Sequence, residues 1–124
     1  MVPHMGTWDS GPFDNDTAVE VVAALRDGTF DFNQFRASFS ANYIDAVEAE
    51  ACVALGALIK LPPEELPAGV KPESLRKLFT PQSRAWLRRR IDMAMNPEQS
   101  SAVAMWEETG ELDEWMKTAQ AAKP

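Results

Sequence analysis

Apolar residues recur at intervals of three and four along most of the chain, which is the spacing of one face of an α-helix. The pattern predicts helices over about residues 17–27, 31–39, 45–60, 72–79, 80–95, 96–109 and 112–119. Alternation of Phe30 and Phe32 leaves a short strand as an alternative in the second segment. The proline-rich residues 61–72 are expected to form a loop between helices, and residues 121–124 to fray. We therefore expect an all-α fold, a single-domain bundle of five to seven helices.

Residues that cap helix N-termini stand where the helices are expected to begin. They are Asp14, Asn15 or Asp16 for the first helix, then Asp31, Asp45, Thr80 and Asn96. Asn96 is followed by a proline and, three residues on, by Gln99, which predicts that a helix begins there. Gly28 and Gly110 are expected to end their helices in the left-handed conformation that glycine adopts readily.

The segment before the first helix is rich in aromatic and turn-forming residues. Trp8 and Phe13 stand among two glycines and Pro12, which disfavour a helix or a long strand. Burial of each large apolar side chain contributes roughly 1.5–3 kcal/mol, enough to order a short loop. We expect a non-helical aromatic segment that packs on the helices. Residues 1–4 are interpreted as a cloning remnant, so the single domain is expected to span residues 5–124.

The composition argues against several kinds of chemistry. His4 is the only histidine and falls in the remnant, which argues against Ser-His-Asp catalysis, Cys-His catalysis and histidine zinc sites. Cys52 is the only cysteine, so we expect a buried small hydrophobic residue on a central, small-residue-rich helix at 45–60. We predict no catalytic residues, no cofactor and no metal centre. No apolar run is long enough for a membrane span, and the composition suits the reducing cytoplasm.

Charge is distributed unevenly around a net value of −7. Residues 71–95 are basic, whereas residues 5–70 and 96–124 are acidic. Such a chain can present a bipolar surface that steers an oppositely charged partner or a second copy of itself. Alternatively, the arginines of the basic segment pair with carboxylates of neighbouring helices. Both interpretations stay open at this point.

Two clusters are candidates for a partner surface. The first is an arginine run and the second is an acidic turn between two tryptophans; together they comprise Arg84, Arg88, Arg89, Arg90, Trp106, Glu107, Glu108 and Trp115. For the acidic turn, the favoured interpretation is that both tryptophans anchor the core beneath a solvated acidic face, and the alternative is a docking surface for a basic partner. Arginines near a tryptophan can also bind nucleic acid, but the surrounding acidic chain would repel a polyanion.

A third cluster consists of hard oxygen ligands, which bind divalent cations. Its members are Asp9, Asp14, Asn15, Asp16, Asp45 and Glu48. Their spacing is not that of an EF-hand loop, and the same residue types are common helix caps. Helix capping is therefore the favoured interpretation, with a metal or acid-pair site as the alternative.

Three segments resemble a bacterial family known as a domain of unknown function, DUF4259. They are the opening Met5–Trp8 with Gly11–Ala18, the segment Tyr43–Ala49 ahead of an alanine-rich helix, and Met105–Glu108 with Glu114–Trp115. The resemblance spans nearly the whole chain from residue 5. It implies a helical protein, and it implies no activity, cofactor or active-site residue.

The leading functional hypothesis is a small cytoplasmic protein that binds another protein and has no catalytic activity. An immunity-type role, in which an acidic protein neutralises a basic partner, is one specific form of it. A homo-oligomer is a further possibility for a bipolar surface. The alternatives are a carboxylate-based metal-binding protein or hydrolase, and a nucleic-acid-binding protein that uses the arginine run.

Overall fold

The computed structural model describes residues 11–13, 15–39 and 41–124. These residues form seven α-helices and one 3-10 helix. The α-helices are α1 (Asp16–Asp27), α2 (Phe32–Ser38), α3 (Ala46–Lys60), α4 (Pro72–Leu78), α5 (Pro81–Ala94), α6 (Ser101–Thr109) and α7 (Leu112–Ala122), with the 3-10 helix at Pro63–Glu65. The predicted all-α class is confirmed. No helix in the described ranges is long and apolar enough to cross a membrane.

Helix α3 is the central element, as its small residues predicted. It contacts α1, α5, α6 and α7, and most of its residues are buried. Gly56 shows why small side chains are needed there: a Cβ atom at this position would overlap the carbonyl oxygen of Ala122 in α7. Cys52 is fully buried, as predicted. The close approach of helices therefore depends on the missing side chain of one glycine.

The phenylalanine-rich second element forms a helix and contributes to the core. Phe32 lies 5.2 Å from Phe79 and 5.5 Å from Trp86, measured between ring centroids, and both contacts are edge-to-face. Phe35 contacts Phe39 in the same way at 4.8 Å. Such geometries add to the stabilisation that comes from burial. The aromatic rings of α2 thereby pack against α5 and against Phe79, the residue that follows α4.

Several capping predictions are confirmed. Asn15 caps α1, since its Oδ1 accepts from the amide of Ala18 at 2.7 Å. Asp31, Asp45 and Thr80 cap α2, α3 and α5. Phe13 is half-buried and packs against the core. Trp8, the other aromatic residue of the predicted N-terminal segment, lies outside the described residues.

The prediction that the sixth helix begins at Asn96 is wrong. The residues after Asn96 form a turn, and α6 starts behind a different cap, Ser100. The backbone around Ser100 pairs with Ile44, whose amide donates to the carbonyl of Gln99 at 2.7 Å. Because this isolated parallel bridge requires extended backbone, it delays the helix beyond the local capping signal.

The predicted fraying of residues 121–124 is also wrong. Ala122 is buried, and the Lys60 ammonium donates to the carbonyl of Ala121 at 2.7 Å. Lys123 pairs with Asp92 at 2.8 Å. Arg88 donates from Nη1 to the main-chain oxygen of Pro124 at 2.8 Å. Contacts made across the bundle, which local sequence does not reveal, hold the end of α7 against α3 and α5.

Candidate functional site

The most buried charged groups are brought together by α3 and α5. Glu48 stands in the first turn of α3, and Arg90 lies on the face of α5 that also presents Trp86 and Leu87 to the core. Their relative exposures are 3% for Glu48 and 6% for Arg90. Charged residues this deeply buried are rare unless they are paired. The packing of two central helices thus determines the position of a buried ion pair.

The guanidinium group of Arg90 is enclosed by protein partners. Its Nε donates to Oε2 of Glu48 at 2.7 Å, and its Nη2 donates to the same oxygen. Its Nη1 donates to the carbonyl of Ala41 at 2.7 Å and contacts the sulfur of Met93 at 3.5 Å. The ring of Trp86 lies 5.8 Å away, within range of a cation–π interaction. Arg90 therefore ties α3, α5 and residue 41 together and is not available at the surface.

Burial alters the acidity of Glu48 itself and of the neighbouring Cys52. Desolvation raises the pKa of Glu48 above its ordinary value, and the hydrogen bonds and positive charge of Arg90 oppose that rise. Desolvation also raises the pKa of the Cys52 thiol, with a further increase from the negative charge of Glu48. A thiol of this kind carries little thiolate at neutral pH, which disfavours a nucleophilic role for Cys52.

The predicted oxygen-ligand cluster is described only in part. Asp9 and Asp14 lie outside the described residues. Asn15 and Asp45 act as helix caps, and Asp16 is an exposed first residue of α1. Glu48, the remaining member, pairs with Arg90. Within the described ranges, no group of three or more histidine, cysteine, aspartate or glutamate side chains could hold a metal ion.

The arginines of the predicted run lie in different environments along α5. Arg84, Arg88 and Arg89 are exposed, whereas Arg90 is buried. Arg84 donates from Nε to the carbonyl of Phe79 at 3.2 Å. The sequence contained a signal for the burial of Arg90, because it follows Trp86 by four residues and therefore lies on the same helix face. Its partner Glu48, 42 positions away, had no such signal.

The two predicted tryptophans lie beneath the surface and do not form part of it. Trp106 and Trp115 are each 3% exposed, and their rings stack at 6.2 Å with an interplanar angle of 15°. Glu107 and Glu108 lie above them on α6 and are exposed. The helical hairpin α6–α7 is therefore a pair of amphipathic helices that are joined by stacked aromatic rings.

We define the acidic hairpin surface as the exposed carboxylates at the turn of α6–α7. Its members are Glu107, Glu108, Glu111, Asp113 and Glu114. Among the residues that the structure describes, none of these side chains has a hydrogen bond or an ion pair. This cluster contrasts with the buried ion pair, because its five carboxylates are exposed and have no described partner.

The fold and the arrangement of charge define the described part of this protein as a small all-helical protein in which the ion pair of Glu48 and Arg90 is buried between two helices. The sequence profile of DUF4259, a domain of unknown function, matches residues 6–118, and the chain belongs to this family. The predicted resemblance is thereby confirmed. No curated protein and no solved structure matches the chain significantly.

Proposed function

We propose that this protein binds a basic partner protein through the acidic hairpin surface and catalyses no reaction. The binding would take place in the cytoplasm, where an immunity-type role is the most specific form of the proposal. The surface is rigidly supported, because the stacked rings of Trp106 and Trp115 fix α6 against α7. A preorganised surface loses little conformational entropy when it binds.

The single observation that supports this proposal best is the placement of Glu107 and Glu108. Both lie in the last turn of α6, which contains no basic residue. The C-terminal end of a helix carries partial negative charge, so carboxylates there are unfavourable by about 0.3–1 kcal/mol each. A locally unfavourable charge that no described residue compensates is explained if a positively charged partner compensates it on binding.

Charge complementarity also predicts how the partner would bind. A cluster of unpaired carboxylates accelerates encounter with a basic surface, and this acceleration falls as salt screens the charges. The buried ion pair takes no part in this process because its charges are already neutralised within the fold. Binding should therefore respond to changes at the hairpin and to ionic strength.

The test is affinity capture from a lysate of the source organism, with the intact chain as bait at low salt. The captured protein is then purified and titrated by calorimetry at two salt concentrations. We expect a basic partner whose affinity falls at higher salt, and at least tenfold weaker binding by the variant E107K/E108K.

The matched control is E64K/E65K, which makes the same change of charge at two exposed residues of the 3-10 helix. This control should bind as the unmodified chain does, apart from a small effect of net charge. Equal loss of binding by both variants would show that net charge alone, and not the position of the carboxylates, causes the effect. An acidic partner, or full affinity of E107K/E108K, would refute the proposal.

A further inference from the structure

A small pocket lies between the end of α3, the loop that follows it, and α4. Seven of the nine residues that line it are apolar, among them Leu58, Leu61, Leu66 and Leu75. Its volume is about 120 Å³, and it is partly enclosed. A closed cavity of roughly 150 Å³ accommodates benzene, so this smaller, partly open pocket can take a small hydrocarbon group and would leave part of a six-carbon ring outside.

Two arginines also line this apolar pocket. Arg84 is oriented by its bond from Nε to the carbonyl of Phe79, which leaves the Nη nitrogens free to bind a ligand. Arg76 comes from the last turn of α4. No carboxylate in the described part of the chain pairs with either guanidinium group. The pocket therefore combines apolar residues with two positive charges that no described carboxylate neutralises.

This combination specifies the chemistry of the ligand. The planar guanidinium group binds a carboxylate through two parallel hydrogen bonds, while apolar walls favour a hydrocarbon body. An inorganic anion would leave the leucines unused, and a neutral hydrocarbon would leave the arginines without a partner. We propose that this pocket binds a small apolar monocarboxylate, with its carboxylate at Arg76 and Arg84 and its hydrocarbon body against the leucines.

The experiment titrates the ¹⁵N-labelled full chain with benzoate at low ionic strength and follows amide chemical shifts. We expect saturable shifts confined to α4, the end of α3 and the loop between them, with a Kd of about 1–10 mM. Benzyl alcohol, which lacks the charge, and acetate, which lacks the apolar body, should each bind at least about threefold more weakly. Inorganic phosphate should produce no saturable shift of the leucine amides.

Two variants and two controls locate the site. R76Q and R84Q should each weaken benzoate binding about threefold, and the double variant about tenfold, because each removes one exposed charge pair. R89Q removes an exposed arginine of the same helix, and K77Q removes the cation of a neighbouring pocket that Leu25, Phe30 and Leu78 line. Both controls should bind benzoate as the unmodified chain does.

Full affinity in R76Q/R84Q, or a loss of affinity in K77Q, would overturn the proposal. Equal binding of phosphate and benzoate would also overturn it, because the apolar wall would then contribute nothing. The result is independent of the hairpin: E107K/E108K should bind benzoate normally, so failure of this inference leaves the proposed partner surface untouched.

Discussion

The centre of the bundle and the α6–α7 hairpin differ in how their charged side chains are buried and paired. At the centre, Glu48 and Arg90 are almost completely buried and satisfy each other. At the hairpin, exposed carboxylates stand close together, and none of them pairs with a described residue. Removal of a charge from water is expensive, so a buried charge must be paired, whereas an exposed charge can remain without a partner at little cost.

This difference separates structural charge from charge available for binding. The guanidinium group of Arg90 already has its partners, because it contacts Glu48, the carbonyl of Ala41 and the face of Trp86. Nothing further can bind there without breaking the fold. The hairpin carboxylates contribute little to the fold and can exchange water for a partner. A change at the centre should therefore alter stability, and a change at the hairpin should alter binding.

The largest effect is expected from R90M, which removes the positive partner of Glu48. The substitution leaves a buried carboxylate without compensation, and this typically lowers the free energy of unfolding by about 3–5 kcal/mol. It also deprives the carbonyl of Ala41 of its donor. Urea denaturation followed by circular dichroism measures the change.

The control for R90M is R89M, the same substitution at the adjacent exposed position. It should change the free energy of unfolding by less than about 0.5 kcal/mol. The double variant E48L/R90M removes both charges and should recover much of the loss. If R90M and R89M proved equally stable, the centre would not depend on its ion pair.

The second-largest expected effect is that the loss of stability in R90M depends on pH. Without Arg90, only desolvation and the charge of Asp45 act on Glu48, and both raise its pKa further above the unfolded value. A carboxyl group with a raised folded-state pKa stabilises the fold below its unfolded pKa, and that stabilisation is lost as pH rises through the folded pKa.

The loss of stability in R90M relative to the unmodified chain should therefore shrink as pH falls from neutral towards 4.5, the ordinary pKa of a glutamate side chain. Urea denaturation at several pH values checks this expectation, with R89M as the reference for general acid effects. A deficit that grew on acidification would show that Glu48 is not the group that R90M leaves uncompensated.

The third prediction concerns the attachment of the hairpin to the centre through α7. In G56A the new methyl group would meet the carbonyl oxygen of Ala122, a backbone atom that cannot simply rotate away. Overpacking of this kind costs about 1–3 kcal/mol, and the gain of up to about 1 kcal/mol from better helix propensity offsets part of it. We expect a net loss of about 1–2 kcal/mol.

Hydrogen exchange distinguishes this mechanism from a general loss of stability. G56A should accelerate exchange of amides at the C-terminal end of α7, because that end must move away from α3. G28A is the matched glycine-to-alanine control: it adds a methyl group at a positive φ of 74° with no atom within 4 Å. Unchanged exchange at the end of α7 in G56A would contradict the proposed contact.

Helix positions and the fold class followed from local signals, which is why sequence predicted them well. Asp31, Asp45 and Thr80 each cap a helix at the position where their own oxygen reaches an amide three residues on. Such interactions involve only neighbours along the chain. The small residues of α3 predicted its central role in the same way, because they allow neighbouring helices to approach closely.

The errors arose where distant residues decide the local structure. Asn96 has a strong helix-start signal, but a turn follows it, and the bridge between Ile44 and Ser100 keeps the backbone extended at Ser100. The end of α7 has a weak helical signal, yet bonds from Lys60 and Arg88 hold it. The candidate site shows the same limit, since local sequence cannot reveal which arginine faces Glu48.

The smallest effect tests the hairpin itself by comparing two pairs of carboxylates at opposite ends of helices. Glu107 and Glu108 lie at the C-terminal end of α6, whereas Asp113 and Glu114 lie in the first turn of α7. The helix dipole disfavours the first pair and favours the second. E107Q/E108Q should therefore raise the free energy of unfolding by about 0.5–1 kcal/mol, and D113N/E114Q should lower it by a similar amount.

Both variants remove two negative charges, so their effects on net charge cancel in the comparison and only position remains. Chemical denaturation at low salt measures the difference, which should shrink as salt screens the charges. A stability gain in E107Q/E108Q together with weaker partner binding would mean that the carboxylates serve binding at the expense of the fold. A loss of stability in that variant would instead place Glu107 and Glu108 among the groups that hold the hairpin together, and the contrast between centre and hairpin would fail.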